Sequence, residues 1–148
     1  MKRYSRKLAL AIFAGALMLA ITATAQVYKY YSPGTVWTVT TIRIKSGMDQ
    51  AYLSYLDGEF KKESDAQVKA GYMKSYKILR TLDDDASWNL LILREYKSLA
   101  AMEADAEKSD ALALQTSGND DVQMKGYEDR SKIREVLATK TARELMLK

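Results

Sequence analysis

The spacing of apolar residues changes period once between residues 36 and 60, and this change predicts how the fold begins. Residues 36–44 are rich in Val, Thr, Ile and Trp, which are typical of a half-buried β-strand. A turn is predicted at Lys45-Ser46-Gly47, and after it the apolar residues recur at helical intervals. These residues are Met48, Tyr52, Leu53, Leu56 and Phe60. The helix is predicted to continue to Ala70, because Gly71 is suited to end it.

The next part of the chain predicts a β-hairpin and a second helix. Residues 72–82 and 88–96 have strand composition, and residues 83–87 between them are polar enough to form the connecting turn. Ser98 is predicted to cap a helix that starts at Leu99, because a serine side chain can accept a hydrogen bond from the first turn. This helix is expected to end before residues 116–119.

A third helix and a last strand complete the pattern. Asp120 and Asp121 suit the start of a helix, since carboxylates favour the positive end of the helix dipole. Its later turns are predicted to present Ile133, Val136 and Leu137 on one face. Residues 140–148 alternate in character and predict the final strand.

The predicted order is β-α-β-β-α-β with an extra helix before the last strand, which is the split βαβ or ferredoxin-like arrangement. This α+β fold places its helices on one face of a four-stranded antiparallel sheet. The other face would have no helical cover. Since an exposed apolar face requires a partner, we expect a homodimer in which the sheet of a second copy provides the cover.

Residues 1–25 have the pattern of a secretory signal peptide. Four cations and no acid precede the apolar run 8–21, and small residues at Ala23 and Ala25 predict cleavage before Gln26. The run is shorter than the roughly 20 residues of a membrane-spanning helix, so cleavage is favoured over a retained anchor. We expect a periplasmic or secreted bacterial protein without a membrane anchor. Residues 26–34 would form an extended segment ending in a turn at residues 32–34, and residues 35–148 the domain.

Charge and composition exclude several classes of function. The chain has 23 basic and 19 acidic residues, and the four cations of the predicted signal leave the remainder with 19 of each. A net charge of zero gives no support for binding to nucleic acid. With no cysteine and no histidine, thiol catalysis, a Ser-His-Asp triad, a Cys/His zinc site and a His-ligated haem are excluded. We therefore predict no cofactor.

The acidic run at residues 83–85 is interpreted as a solvated turn. Aligned on an EF-hand loop from Asp83, the glycine position is Trp88 and the terminal glutamate position is Arg94. Neither residue can serve in that role. No metal site is predicted.

Four segments resemble the dimeric α/β-barrel superfamily, and within it the secreted NIPSNAP-like and antibiotic-biosynthesis-monooxygenase-like proteins. They are TVTTIRIKSGMDQAYLSYL, GYMKSYKILRTLDDD, WNLLILREYKSLAAMEA and RELMLK. The resemblance implies two ferredoxin-like protomers that join their sheets around a shared barrel. Its members include cofactor-independent oxygenases, lactone isomerases, haem-degrading enzymes and dye peroxidases. The haem-using branches depend on a histidine that this chain lacks.

On each predicted strand, the aromatic and arginine residues occupy alternate positions and so point to the same side of the sheet. This side is predicted to face the barrel. The proposed ligand-binding residues are Trp37, Arg43, Tyr76, Trp88 and Arg94. The residues on the other side of the sheet are predicted to lie under the helices; they are Ile42, Ile44, Met73, Leu79, Leu91 and Leu93. Such a site would suit a small aromatic or otherwise apolar molecule with an anionic group. The alternative is that these aromatic residues fill the core between the sheets.

Three functions fit the sequence. The first is an exported homodimer of undetermined role that binds a small apolar or aromatic molecule in the barrel. The second is a cofactor-independent monooxygenase or isomerase for a small aromatic or carbonyl substrate, although no spacing singles out a catalytic pair. The third is a structural dimer with a filled barrel.

Overall fold

The computed structural model describes residues 29–82 and 87–148. These residues divide into one unit that contains residues 29–34 and Leu145–Lys148 and a second unit that lies within Thr35–Glu144. In the first unit, the backbone N–H of Lys148 donates to the carbonyl of Tyr30 at 3.2 Å. The predicted signal peptide, its cleavage site and the acidic run 83–85 lie outside the described residues.

Four strands form one antiparallel sheet. They are β1 (Tyr31–Ile44), β2 (Ser75–Arg80), β3 (Leu90–Tyr96) and β4 (Arg134–Leu147), in the spatial order β2-β3-β1-β4. β3 pairs with β1 from Val36↔Tyr96 to Ile42↔Leu90, and β2 pairs with β3. The predicted α+β fold with a ferredoxin-like strand order is confirmed.

The helices lie between the strands in the predicted order. They are α1 (Asp49–Tyr55), a π-helical segment (Leu56–Phe60), α2 (Lys61–Ala70), α3 (Leu99–Ala104), α4 (Ala106–Ser117) and α5 (Asp120–Ile133). The first three segments follow one another without a break and correspond to the single predicted first helix. No helix of the described residues is long and apolar enough to cross a membrane.

Several helix boundaries agree with the sequence signals. Gly71 has the left-handed φ of 79° expected of a glycine that ends a helix. The Ser98 side chain accepts a hydrogen bond from the backbone N–H of Ala101 at 3.1 Å, which confirms the predicted cap of the second helix. Asn119 caps α5 in the same way, and Asp120 and Asp121 lie in its first turn.

Two predictions near the chain ends are wrong. β1 begins at Tyr31, so residues 32–34 continue the strand and do not form a turn. Pro33 is tolerated there because the β3 pairing stops at Val36. α5 ends at Ile133, and β4 begins at Arg134, so Val136 and Leu137 lie in a strand and not in a helix. Pairing of this segment with β1 overrides its local helical spacing.

The hydrophobic core lies between the helices and one face of the sheet. Ile42 and Ile44 of β1 and Leu90 and Ile92 of β3 are buried against three residues of the first helix, Tyr52, Leu56 and Phe60. The predicted placement of Ile42 and Ile44 under the helices is confirmed. We call this side of the sheet the helix face and the opposite side the open face.

The facing predicted for Leu79, Leu91 and Leu93 is wrong, whereas Met73 is buried beside the first helix as predicted. Leu90 and Ile92 are in the core, so Leu91 and Leu93 point to the open face. Leu79 is 50% exposed. The register that pairs Ile42 with Leu90 fixes this orientation, since a shift of one residue reverses the facing of every side chain in a strand.

Candidate ligand-binding site

The five residues predicted to bind a ligand do not form one group. Trp37 and Arg43 lie on the open face, because the neighbouring positions Val36, Ile42 and Ile44 are buried on the other side. Tyr76 and Arg94 lie on the helix face, where both contact Phe60. Trp88 lies in the connection before β3. The prediction that all five face the same space is therefore wrong.

Two charged groups of the open face, Arg43 and Glu95, are paired within the chain. Arg43 donates to Glu135 Oε2 at 3.2 Å and to the carbonyl of Ser87 at 2.7 and 3.1 Å. Glu95 accepts from Lys74 Nζ at 2.8 Å and from Ser75 Oγ at 2.6 Å. The hydrogen bond from Lys74 is the main reason that the pKa of Glu95 lies below its usual value.

Apolar side chains occupy neighbouring positions of the open face on three strands. Val39 of β1 pairs with Leu93 of β3, Leu91 pairs with Leu79 of β2, and each is at least partly exposed. The ring of Trp37 lies on the same face, and the ammonium of Lys77 is 5.6 Å from its centroid. The open face thus combines an apolar patch with the cation–π pair of Trp37 and Lys77 and with the ion pairs of Arg43 and Glu95.

On the helix face, four aromatic rings follow one another, and we call them the aromatic ladder: Tyr52, Tyr55, Phe60 and Tyr76. The ring centroids of Tyr52 and Tyr55 are 5.7 Å apart and stacked, and those of Tyr55 and Phe60 are 6.5 Å apart. Phe60 meets Tyr76 edge to face at 5.6 Å. These distances are typical of favourable aromatic pairs, so the ladder ties the first helix to β2.

Three guanidinium groups lie over this ladder. Arg134 is 5.6 Å from the Tyr52 centroid, Arg130 is 4.7 Å from that of Tyr55, and Arg94 is 5.2 Å from that of Phe60. The Nε atoms of Arg130 and Arg134 are buried and have no hydrogen-bond partner. Cation–π contact is thus a large part of what holds these arginines.

The ladder has unusual electrostatics. Burial raises the pKa of Tyr52 to about 12, and the charge of Arg134 opposes this rise. Burial likewise raises the pKa of Tyr55, with Arg130 acting against it. The raised pKa values keep both phenols neutral to a higher pH than that of a solvent-exposed tyrosine.

Tyr76 has a structural partner. Its hydroxyl donates to Asp65 Oδ1 at 2.8 Å, and Lys61 forms an ion pair with the same carboxylate. The hydrogen bonds from Lys61 and Tyr76 lower the pKa of Asp65. Tyr76 thus joins β2 to α2, and a role for it in ligand binding stays a prediction.

A cleft of about 520 Å³ lies between the first helix and α5, and we call it the α5 cleft. Its lining includes Tyr55, Glu59, Glu63, Tyr127 and Arg130. Sequence reasoning missed this site. The regular spacing of Tyr55, Glu59 and Glu63 marks one face of the first helix, but no local signal places Arg130 opposite that face.

Comparison with family models found no match, and comparison with curated proteins found none either. Among solved structures, a dimeric ferredoxin-like protein from an uncultured marine organism matches with a TM-score of 0.50 and 15% identity, over 79% of this chain and 98% of that one. A second such protein, also from an uncultured marine organism, matches with a TM-score of 0.50 and 12% identity, over 79% of this chain and 90% of that one. A NIPSNAP family protein of unknown function from Agrobacterium tumefaciens matches with a TM-score of 0.49 and 12% identity, over 78% of this chain and 90% of that one. This chain has the ferredoxin-like fold.

Proposed function

We propose that the chain is an exported protein that forms a homodimer through the open face of its sheet and binds a small apolar or aromatic molecule between the two sheets. The observation that carries the proposal is the open face itself. Every sheet residue of the buried core, within the described part of the chain, belongs to the helix face. The two marine proteins of the same fold are described as dimeric, which supports a second copy as the cover.

The chemistry of the open face suits burial against an identical sheet. Val39, Leu79, Leu91 and Leu93 supply apolar surface, and covering such surface is worth roughly 25 cal/mol per Å². Arg43 and Glu95 already have charged partners, so they can be desolvated at lower cost than unpaired charges. A second sheet packed about 10 Å away would complete a barrel.

Trp37 is the residue that supports a ligand in this barrel. Its ring lies on the open face beside Lys77, and an indole can stack on an apolar or aromatic molecule. Arg43 is a weaker candidate for direct contact, because its guanidinium is engaged by Glu135 and Ser87. The proposed ligand is accordingly apolar, and an anionic group is not required.

The dimer is tested by light scattering of the chain at micromolar concentration. We expect twice the chain mass for the wild type and the single mass for Leu93→Lys, because Leu93 lies on the central open-face row between Val39 and Lys77. The matched control is Leu53→Lys, on the first helix, where 45% of the residue is exposed, and it should stay dimeric. A wild-type monomer would refute the proposed dimer.

Ligand binding and export need separate experiments. Native mass spectrometry of protein purified from its own compartment should show mass beyond two chains, and Trp37→Leu should lose it. A bare dimer would favour a filled barrel instead. For export, the first residue of the exported protein should be Gln26, and a start upstream of Ala23 would contradict cleavage.

A further inference from the structure

The α5 cleft is separate from the open face, since it is formed by helices on the other side of the sheet. Its volume of about 520 Å³ lies within the range of roughly 300–1,000 Å³ that small-molecule sites occupy. Its lining residues all belong to the helices or their ends, and none belongs to the sheet. A dimer formed through the open face would therefore leave the cleft accessible to a ligand.

Arg130 presents an incompletely satisfied guanidinium at this cleft. Its side chain is only 19% exposed, and its nearest carboxylate, Glu59 Oε2, is 3.8 Å from Nη1, which is longer than a hydrogen bond. The Nε atom has no partner but is itself buried, so a ligand would meet the two Nη groups of the guanidinium. A guanidinium with unused donors is suited to bind a carboxylate through two parallel hydrogen bonds.

The position of Arg130 is set by its neighbours. The ring of Tyr55 lies 4.7 Å below the guanidinium, and Tyr55 is itself stacked on the buried Tyr52. A Cβ added at Gly126 would approach Nη1 of Arg130 to 2.9 Å, so a side chain at Gly126 would displace the guanidinium. The cation is thus held in place before any ligand arrives, which lowers the entropic cost of binding.

The other charges of the cleft are negative. Glu59 is exposed and lies beyond hydrogen-bond distance of Arg130. Glu63 accepts a hydrogen bond from the neutral Ser117 hydroxyl at 3.1 Å, and Asp120 also lines the space. Three carboxylates face one guanidinium, so a purely anionic ligand would meet net repulsion. An ammonium group on the same ligand would remove this imbalance.

Apolar surface completes the cleft. Tyr127 is 57% exposed and Met124 is 63% exposed, and Val122 lies beside them on α5. A ring or branched alkyl group placed against these side chains would shield them from water.

We propose that the α5 cleft binds a zwitterion of the amino-acid class with an aromatic or large apolar side chain. The ligand carboxylate pairs with Arg130, its ammonium pairs with Glu59 and Glu63, and its side chain packs against Tyr127. This site is distinct from the proposed barrel site.

The test is isothermal titration calorimetry of the full chain with three matched probes: L-phenylalanine, phenethylamine, which lacks the carboxylate, and 3-phenylpropionate, which lacks the ammonium. We expect phenylalanine to bind, and each analogue to bind at least about tenfold more weakly, a ratio that corresponds to about 1.4 kcal/mol. Absence of phenylalanine binding at millimolar concentration would overturn the proposal. So would an analogue that binds as tightly as phenylalanine.

Variants identify the cleft as the binding site. Arg130→Met should abolish phenylalanine binding, and Gly126→Ala should weaken it severalfold through displacement of the guanidinium. Lys132→Met on the same helix is the control, because Lys132 pairs with Asp129 outside the cleft, and it should bind as the wild type does. If Arg130→Met fails to fold, Glu63→Gln serves as the second test, with weaker binding of phenylalanine expected.

The variants also separate this site from the barrel. Leu93→Lys should still bind phenylalanine even where it is monomeric, since no open-face residue lines the α5 cleft. Unchanged binding by Arg130→Met and Glu63→Gln would place the phenylalanine elsewhere and refute the assignment.

Discussion

Replacement of Tyr52 by phenylalanine should change how the stability of the domain depends on pH. The side chain is 1% exposed, and burial raises its pKa from 10.0 to about 12. The folded state therefore favours the neutral phenol. The stabilisation from this shift is fully present below pH 10 and is lost as the pH rises through 12.

The size of the effect follows from the shift. One pKa unit corresponds to about 1.36 kcal/mol. A shift of about two units therefore makes the fold roughly 2.7 kcal/mol more stable when the phenol is neutral in both the folded and unfolded states than when it is ionised in both. At pH 11 the unfolded phenol is mostly ionised and the folded one is not, and linkage gives a loss of roughly 1.4 kcal/mol. Phenylalanine cannot ionise, so the variant lacks this loss.

Urea unfolding at pH 9 and pH 11 measures the difference. The free energy of unfolding of the wild type should fall by roughly 1.4 kcal/mol more than that of Tyr52→Phe over this interval. Tyr30→Phe is the matched control, because Tyr30 is 70% exposed, and it should follow the wild type. The reasoning is refuted if Tyr52→Phe loses as much stability as the wild type between the two pH values.

Two further predictions concern the stability of the fold. Leu90→Ala should lower the free energy of unfolding by about 2–5 kcal/mol, because Leu90 is 0% exposed. Leu53→Ala, at a 45% exposed position, should lower it much less. Equal losses in urea unfolding would contradict this account of the core. Gly71→Ala should destabilise by about 1–2 kcal/mol because φ is 79° there. Gly58→Ala in the first helix should be neutral or slightly stabilising, because nothing lies within 4 Å of its added Cβ and its φ is not positive. Thermal unfolding of the Gly71→Ala and Gly58→Ala variants checks this contrast.

The sequence by itself determined the order of the elements and several of their ends. Ser98 and Gly71 act through hydrogen bonds and dihedral angles within a few residues, so their roles were readable without a tertiary structure. The first strand and first helix were also predicted, since Ile42, Ile44 and Leu56 follow strand and helix periods and meet in the core. Local interactions suffice for features of this kind.

Tertiary structure alone decided which way β2 and β3 face and where the α5 cleft lies. Periodicity shows that Tyr76 and Arg94 alternate with their neighbours, but only the pairing register places them against Phe60 on the helix face. The contact of Arg130 with Tyr55 joins residues that are far apart in the chain, and it depends on how α5 packs against the first helix. Strand register and helix packing are set by the sum of many distant contacts, and no single segment of the sequence contains them.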